Sequence, residues 1–157
     1  MKIGIITDSH DDREKVLKAV EIFRKEEVNY VLHAGDIVAP STAEIFSELE
    51  GAKFIAVFGN CDREKVLLAN CISHFGGYIH DNIYIGEIGG RRIFMTHKPS
   101  ELDEVADSDR YDLVVYGHTH KKFIHRVDGS LVVNPGESAV VIVELDDMSV
   151  KEHPLVV

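Results

Sequence analysis

Five short stretches of this chain end in residues able to bind a metal ion. They are Asp8-Ser9-His10, Gly35-Asp36, Gly59-Asn60-Cys61-Asp62, Thr96-His97 and Gly117-His118-Thr119-His120. Together they offer seven candidate ligands: Asp8, His10, Asp36, Asn60, His97, His118 and His120. Carboxylate, amide oxygen and imidazole in mixture suit divalent Mn, Ni, Fe or Zn better than Ca or a thiolate-loving metal. Neither Cys61 nor Cys71 is needed, and both read as free thiols. Seven ligands are too many for one catalytic ion that keeps an open position. They fit two ions that share a carboxylate, with Asp36 as the bridge, because a short oxygen ligand can span ions ~3.5–4 Å apart. In extended backbone, residues i and i+2 point the same way. On that ground Asp8 and His10 converge on one point, as do His118 and His120. Gly35, Gly59 and Gly117 each precede a ligand and permit a tight turn beside a bound ion.

Each stretch follows an apolar run. Residues 2–7, 29–34 and 53–58 read as buried strands, with helical period over 11–27, 41–49 and 63–72. Ser41 is a plausible helix cap behind Pro40, and Asp11-Asp12 favours the start of the first helix. The resulting β-α-β-α-β-α order predicts a parallel sheet with crossover helices. The second half changes character. Strands are expected at 83–88, 91–96, 113–116, 122–127, 131–133 and 140–145, with Gly89-Gly90 and Asp128-Gly129 as hairpin turns. Only 100–106 looks helical there. Two sheets face to face with helices outside are therefore expected, and all five ligand stretches lie past strand C-termini, where open α/β sheets bind ligands.

The chain has 157 residues and is 45% hydrophobic, enough for one domain, 1–157, with one sizeable core. No run approaches the ~18 apolar residues of a membrane span, and a cytoplasmic location is the default expectation. The net charge of −10 argues against long nucleic acid as a partner. It also poses a problem, since an anionic substrate would be repelled unless the field is reversed locally. Two divalent ions, two aspartates and one bridging hydroxide leave the site at about +1, so the metals themselves would attract phosphate.

The ordered set D-x-H, GD, GN-x-D, an isolated histidine after a strand, and GHTH resembles the calcineurin-like metallophosphoesterase superfamily over nearly the whole chain. Asn134-Pro135-Gly136-Glu137 is similar to a turn of its small, single-domain phosphodiesterase branch, sometimes called YfcE-like. The resemblance implies a four-layer α/β/β/α sandwich of two mixed sheets. It implies one ion on Asp8, His10, Asp36 and His120, and a second on Asp36, Asn60, His97 and His118, the last four being the candidate catalytic residues. It implies Mn first among the metals, a small phosphate-ester substrate, and a homodimer or higher homo-oligomer. The expected reaction is attack on phosphorus by a hydroxide bridging the ions.

Two positions depart from the pattern. Cys61 stands where larger members carry a histidine that assists the leaving group, and Lys98-Pro99 follows His97 where small members often have Gly-His. That shifts the expectation from phosphatase in general to phosphodiesterase. The other histidines are read more blandly: His33 as a packed residue behind the site, and His74, His80, His125 and His153 as surface or loop residues. Asp62 is expected to orient a neighbour, Lys98 to contact a phosphate oxygen or solvent, and Arg91-Arg92 and Lys121-Lys122 to face solvent. Rival readings are a scaffold of the same fold, as in a subunit of the retromer coat that has lost part of the metal set, a nucleotide or polyphosphate hydrolase, and a phosphomonoesterase.

Overall fold

In the computed structural model, which describes residues 1–102 and 110–155, the strands β1 (Lys2–Ile6), β2 (Tyr30–His33), β3 (Lys53–Val57) and β4 (Tyr78–His80) run parallel in one sheet. Two antiparallel strands, β10 (Ala139–Glu144) and β11 (Ser149–Pro154), complete it in the order β11-β10-β1-β2-β3-β4. The second sheet, also mixed, has the order β5-β6-β7-β9-β8. Its strands are β5 (Ile83–Ile88), β6 (Arg91–Thr96), β7 (Leu113–Val115), β8 (Phe123–Val127) and β9 (Ser130–Asn134).

Period-two alternation decides what each face of β1 buries. Ile3 and Ile5 point between the sheets, against Ile93, Met95, Leu113, Val115 and Val133. Ile6 faces the helical side, where Val16, Val20 and Phe23 of α1 (Arg13–Lys25) pack with Phe46 and Phe54. A third apolar cluster, Phe94, Tyr111, Val114, Tyr116 and Val132, lies on the outer face of the second sheet. The fold class expected from sequence is therefore observed: α/β, two mixed sheets packed face to face with helices outside.

Both hairpin turns form as two-residue loops. Gly89 and Gly90 have φ of 57° and 78°, and Asp128 and Gly129 have 48° and 87°, the signature of the turn that matches strand twist. The helix starts differ from expectation in one place. Asp12 does cap α1, accepting from the Lys15 amide at 3.1 Å. Ser41, however, is not a cap. Pro40, with no N–H to satisfy, takes the first helical position, which makes Ala39 the cap residue of α2 (Pro40–Ala43). The expected helix 41–49 then tightens into a 3-10 turn, Glu44–Glu48. The third helix, α3, spans Lys65–His74. Of the expected helix 100–106, residues 103–106 lie outside the described residues, and Pro99–Glu101 forms a 3-10 turn.

Two strands have weak sequence signals. The edge strand β4 is three residues long, and β11 carries Lys151, Glu152, His153 and Pro154, the charged and proline-bearing pattern that blunts an edge. His80 and His153 lie on these two strands, His125 on β8 and His74 in the last turn of α3; His74, His80 and His125 are exposed, as a surface reading expects, and His153 is half-buried. Arg91 does not merely face solvent: its guanidinium donates to the Leu145 and Asp146 carbonyls at 2.8 and 3.0 Å.

Candidate metal centre

Asp8 and His10 follow β1, Asp36 follows β2 and Asn60 follows β3, all from the first sheet. His97 follows β6, and His118 and His120 follow β7, from the second. The site is thus the seam where parallel strands of both sheets end, and all seven sequence candidates arrive there.

One group is Asp8, His10, Asp36 and His120, whose donor atoms lie within 4.8 Å of one another. Asp8 Oδ1 is 3.3 Å from His120 Nε2 and 3.9 Å from His10 Nε2. A second group adjoins it. Asn60 Oδ1 is 2.8 Å from His97 Nε2 and 3.0 Å from His118 Nδ1. Asp36 Oδ2 lies between the groups, 3.9 Å from His10 Nε2 and 3.3 Å from His97 Nε2. Donors about 2 Å from a shared ion stand roughly 3–4 Å from each other, close to the 2.8–3.9 Å of these pairs.

The protein also divides each carboxylate. Asp8 Oδ2 accepts from the Thr7 hydroxyl at 2.7 Å and the His118 amide at 3.0 Å, and Asp36 Oδ1 accepts from the Cys61 amide at 2.8 Å. One oxygen of each is tied to the protein and the other is offered to the site. Asp8 Oδ1 and His10 Nε2 are buried without a hydrogen-bond partner. Buried polar atoms of that kind are rare and call for an occupant; two ligand-type atoms aimed at one point fit a cation.

Convergence is achieved by a route other than extended backbone. Asp8, His10, Asp36, His118 and His120 all have positive φ, between 49° and 72°. The strands stop at Ile6 and Val115, and each candidate pair is turned inward by left-handed residues beyond them. The glycines play the expected part. A Cβ on Gly35, itself at φ 103°, would stand 2.7 Å from His97 Nδ1, and one on Gly117 would stand 2.7 Å from Asp8 Oδ2. Val38 is more unusual. A β-branched residue at φ 75°, it is the centre of a tight turn closed by the Ala39 amide on the Ile37 carbonyl at 3.0 Å, a rare and strained conformation. No feature of the sequence announces it.

Asp62 supports that strain. Its Oδ2 accepts from the Asp36 amide at 2.9 Å and the Gly59 amide at 2.7 Å, and its Oδ1 from the Val38 amide at 2.7 Å. Asp62 therefore orients backbone rather than binding the site, as expected of it. His97, 2% exposed, donates from Nδ1 to the Ala34 carbonyl at 2.7 Å, which turns Nε2 to the site. Burial alone would lower its pKa, but the Asp36 carboxylate and the Ala34 carbonyl outweigh it and raise it. Burial would likewise raise Asp36, and His97 with the Cys61 amide holds it low. A metal bound by such a pair would have to displace a proton, so its binding would release protons. Cys61 is half-buried beside Asp36, while Lys98 is exposed. Glu137 had no role assigned from sequence, yet its Oε2 is 3.3 Å from His120 Nδ1.

His33 is fully buried behind the candidate ligands. Its Nδ1 accepts from the Gly35 amide at 3.1 Å, so Nε2 carries the proton and faces Ser9 Oγ at 2.8 Å. Burial, reinforced by His97, pushes its pKa down to about 3. An unfolded histidine titrates near 6.5. Between those values the unfolded chain takes up a proton that the folded chain refuses, so stability falls as pH drops from about 6.5 towards 3. Urea midpoints measured across that window should fall, and His33→Gln should flatten the fall. An equal slope in both proteins would rule His33 out as its source.

Comparison with known proteins agrees with this geometry. A profile of the calcineurin-like phosphoesterase superfamily domain matches residues 1–145. A phosphodiesterase of Methanocaldococcus jannaschii is 40% identical over 140 residues, covering 87% of this chain and 84% of that protein. A solved structure of an archaeal phosphodiesterase superposes with a TM-score of 0.93 at 35% identity, over 99% of this chain and 100% of that one. YfcE, a phosphoesterase of E. coli, shares the fold at 19% identity and a TM-score of 0.66, over 99% and 100% of the two chains.

Proposed function

The chain belongs to the calcineurin-like phosphoesterase superfamily, and from that premise we propose that it is a metal-dependent phosphodiesterase whose seven convergent ligands hold two divalent ions bridged by Asp36. Asp8, His10, Asp36 and His120 would hold one, and Asp36, Asn60, His97 and His118 the other. The observation that carries this reading is the pair of unpartnered buried atoms, Asp8 Oδ1 and His10 Nε2, pointing into a ring of oxygen and nitrogen donors. Manganese heads the suitable metals, ahead of Ni, Fe and Zn.

Divalent ions, when bound, lower the pKa of a coordinated water towards ~7 and neutralise charge on the phosphoryl oxygens. The chain's own residues prepare that chemistry. Asp8 and Asp36 each present one free oxygen, and the Ala34 carbonyl fixes the His97 ring. Asn60, His118 and His120 form the exposed rim that a small phosphate ester would meet. The local positive charge offsets the repulsion expected from a chain of net charge −10. We place the protein in the cytoplasm as a homodimer or larger homo-oligomer. No described helix is long and apolar enough to cross a membrane.

Cys61 supports the diesterase preference. It occupies the position from which an imidazole would assist departure of a poor leaving group, and its thiol is pushed up by partial burial and by Asp36. Aryl and nucleotide-like diesters should therefore turn over faster than alkyl monoesters. Cys61→His should raise alkyl relative to aryl turnover about 10²-fold, the lower end of the range for a positioned acid. An unchanged ratio in steady-state assays would remove this account. The function as a whole is tested by stripping the protein of metal and reloading it with Mn, Ni, Fe or Zn. Each form is then assayed on diesters, monoesters and nucleotides. Silence throughout would favour the scaffold reading.

A further inference from the structure

His97 and His120 present Nε2 to the metal centre, but they are held in different ways. His97 is buried and its Nδ1 is anchored to a backbone carbonyl. His120 lies on the rim with its side chain 42% exposed, in a loop at φ 61°. A rim imidazole has freedom to rotate away from the site unless something beyond it fixes the ring.

We propose that Glu137 is the positioning residue for His120: its carboxylate accepts from the Nδ1 N–H and holds Nε2 towards Asp8 Oδ1, while Asn134 fixes the loop of Glu137 against the loop of His120. Nδ1 of His120 is 3.3 Å from Glu137 Oε2 on one side, and Nε2 is 3.3 Å from Asp8 Oδ1 on the other. The ring thus spans two carboxylates, one at the centre of the site and one outside it.

Asn134, fully buried at the end of β9, joins the two loops. Its amide donates to the Gly117 carbonyl at 3.3 Å and the Thr119 hydroxyl at 3.1 Å, within the stretch that carries His118 and His120. Its Oδ1 accepts from the Gly136 amide at 2.9 Å, which turns the chain back just before Glu137. Thr119 Oγ1 also accepts from the Lys121 amide at 3.2 Å, which closes the loop around His120. The backbones touch: a Cβ on Gly136 would stand 3.0 Å from the Lys122 amide nitrogen and 3.5 Å from the His120 carbonyl. Glu137 is therefore delivered to His120 by a built contact rather than by a free side chain.

A carboxylate behind a ligating imidazole fixes its tautomer and makes it a better donor, and loss of such a partner typically costs 10–100-fold in metal affinity. The inference rests on the two-ion reading, and the test separates the two. Metal-free protein is titrated calorimetrically with manganese(II), as wild type, Glu137→Ala and Glu137→Gln. Glu137→Ala should weaken one of two binding steps 10–100-fold and leave the other within about twofold, because only one group contains His120. Glu137→Gln, whose amide oxygen still accepts from Nδ1, should recover part of the loss. The melting temperature of the metal-free protein should not move, since Glu137 is half exposed and its contact is at the surface. Equal weakening of both steps would mean that Glu137 acts only through its charge, and unchanged affinity would mean that it does not act. Either overturns the proposal and leaves the two-ion reading standing. Failure of the wild type to bind manganese at all overturns both.

Discussion

Asp36→Asn removes activity and most of the bound metal together. The substitution is nearly isosteric, and the carbonyl oxygen of the new amide can still accept from the Cys61 amide, so the fold is kept. What changes is the atom at Oδ2. That oxygen stands 3.9 Å from His10 Nε2 and 3.3 Å from His97 Nε2, between the two ligand groups. In the variant an NH2 takes its place, with its hydrogens directed at the site and no negative charge. On the proposed two-ion reading both ions would lose a ligand at once, and the site would lose one of the two aspartate charges. Metal catalysis of this kind supplies several kcal/mol of transition-state stabilisation, and each 1.36 kcal/mol is a factor of ten. A fall in kcat/KM of about 10³-fold or more is expected, with metal content by atomic emission falling in parallel. A variant that keeps both ions would refute the bridge. A variant that keeps the fold but neither ion nor activity would show that the seven residues act as one unit.

The candidate ligands were readable from residue types because each is a strong donor placed past an apolar strand. The reason for their convergence was not. Extended i, i+2 geometry was the natural reading of Asp8 with His10 and of His118 with His120. The structure uses left-handed backbone at all four. Those conformations are imposed by tertiary bonds, such as Asp8 N to the Gly35 carbonyl at 3.0 Å and His10 N to the Asp36 carbonyl at 2.9 Å, between stretches far apart in sequence. Glu137 shows the same limit. An exposed glutamate after a turn has no pattern to mark it, and only the packing of one loop on another brings it to His120. The central strands carried long apolar signals, whereas β4 and β11, at the sheet edge, are short or charged and had to be found by pairing. Ser41 misled because serine caps helices often, but Pro40 had already taken the first helical position.

Asp62→Ala should be the most damaging change to stability near the site, although Asp62 offers nothing to a metal. The residue is 2% exposed and its two oxygens accept three amides, those of Asp36, Val38 and Gly59. Alanine strands all three donors. A buried donor without a partner costs about 1–3 kcal/mol; the Asp36 amide is buried and those of Val38 and Gly59 are partly buried and so nearer the low end, so a loss of roughly 3–6 kcal/mol is expected, a large part of the ~5–15 kcal/mol that holds an ordinary domain together. Part of the cost is recoverable, since Val38 at φ 75° stores strain that the Asp62 bond opposes. Releasing that turn would move the Ile37–Val38 peptide, and with it Asp36, whose amide loses its acceptor in the same step. Stability and metal affinity should therefore fall together, in contrast to Asp36→Asn, where metal is lost and the fold kept. Asp62→Asn should lie between, because one oxygen still accepts while its NH2 faces an amide hydrogen. Urea unfolding of the metal-free proteins gives the first quantity and manganese titration the second. An Asp62→Ala protein as stable as wild type would show that these three amides find other acceptors, and that the strained turn stands without its support.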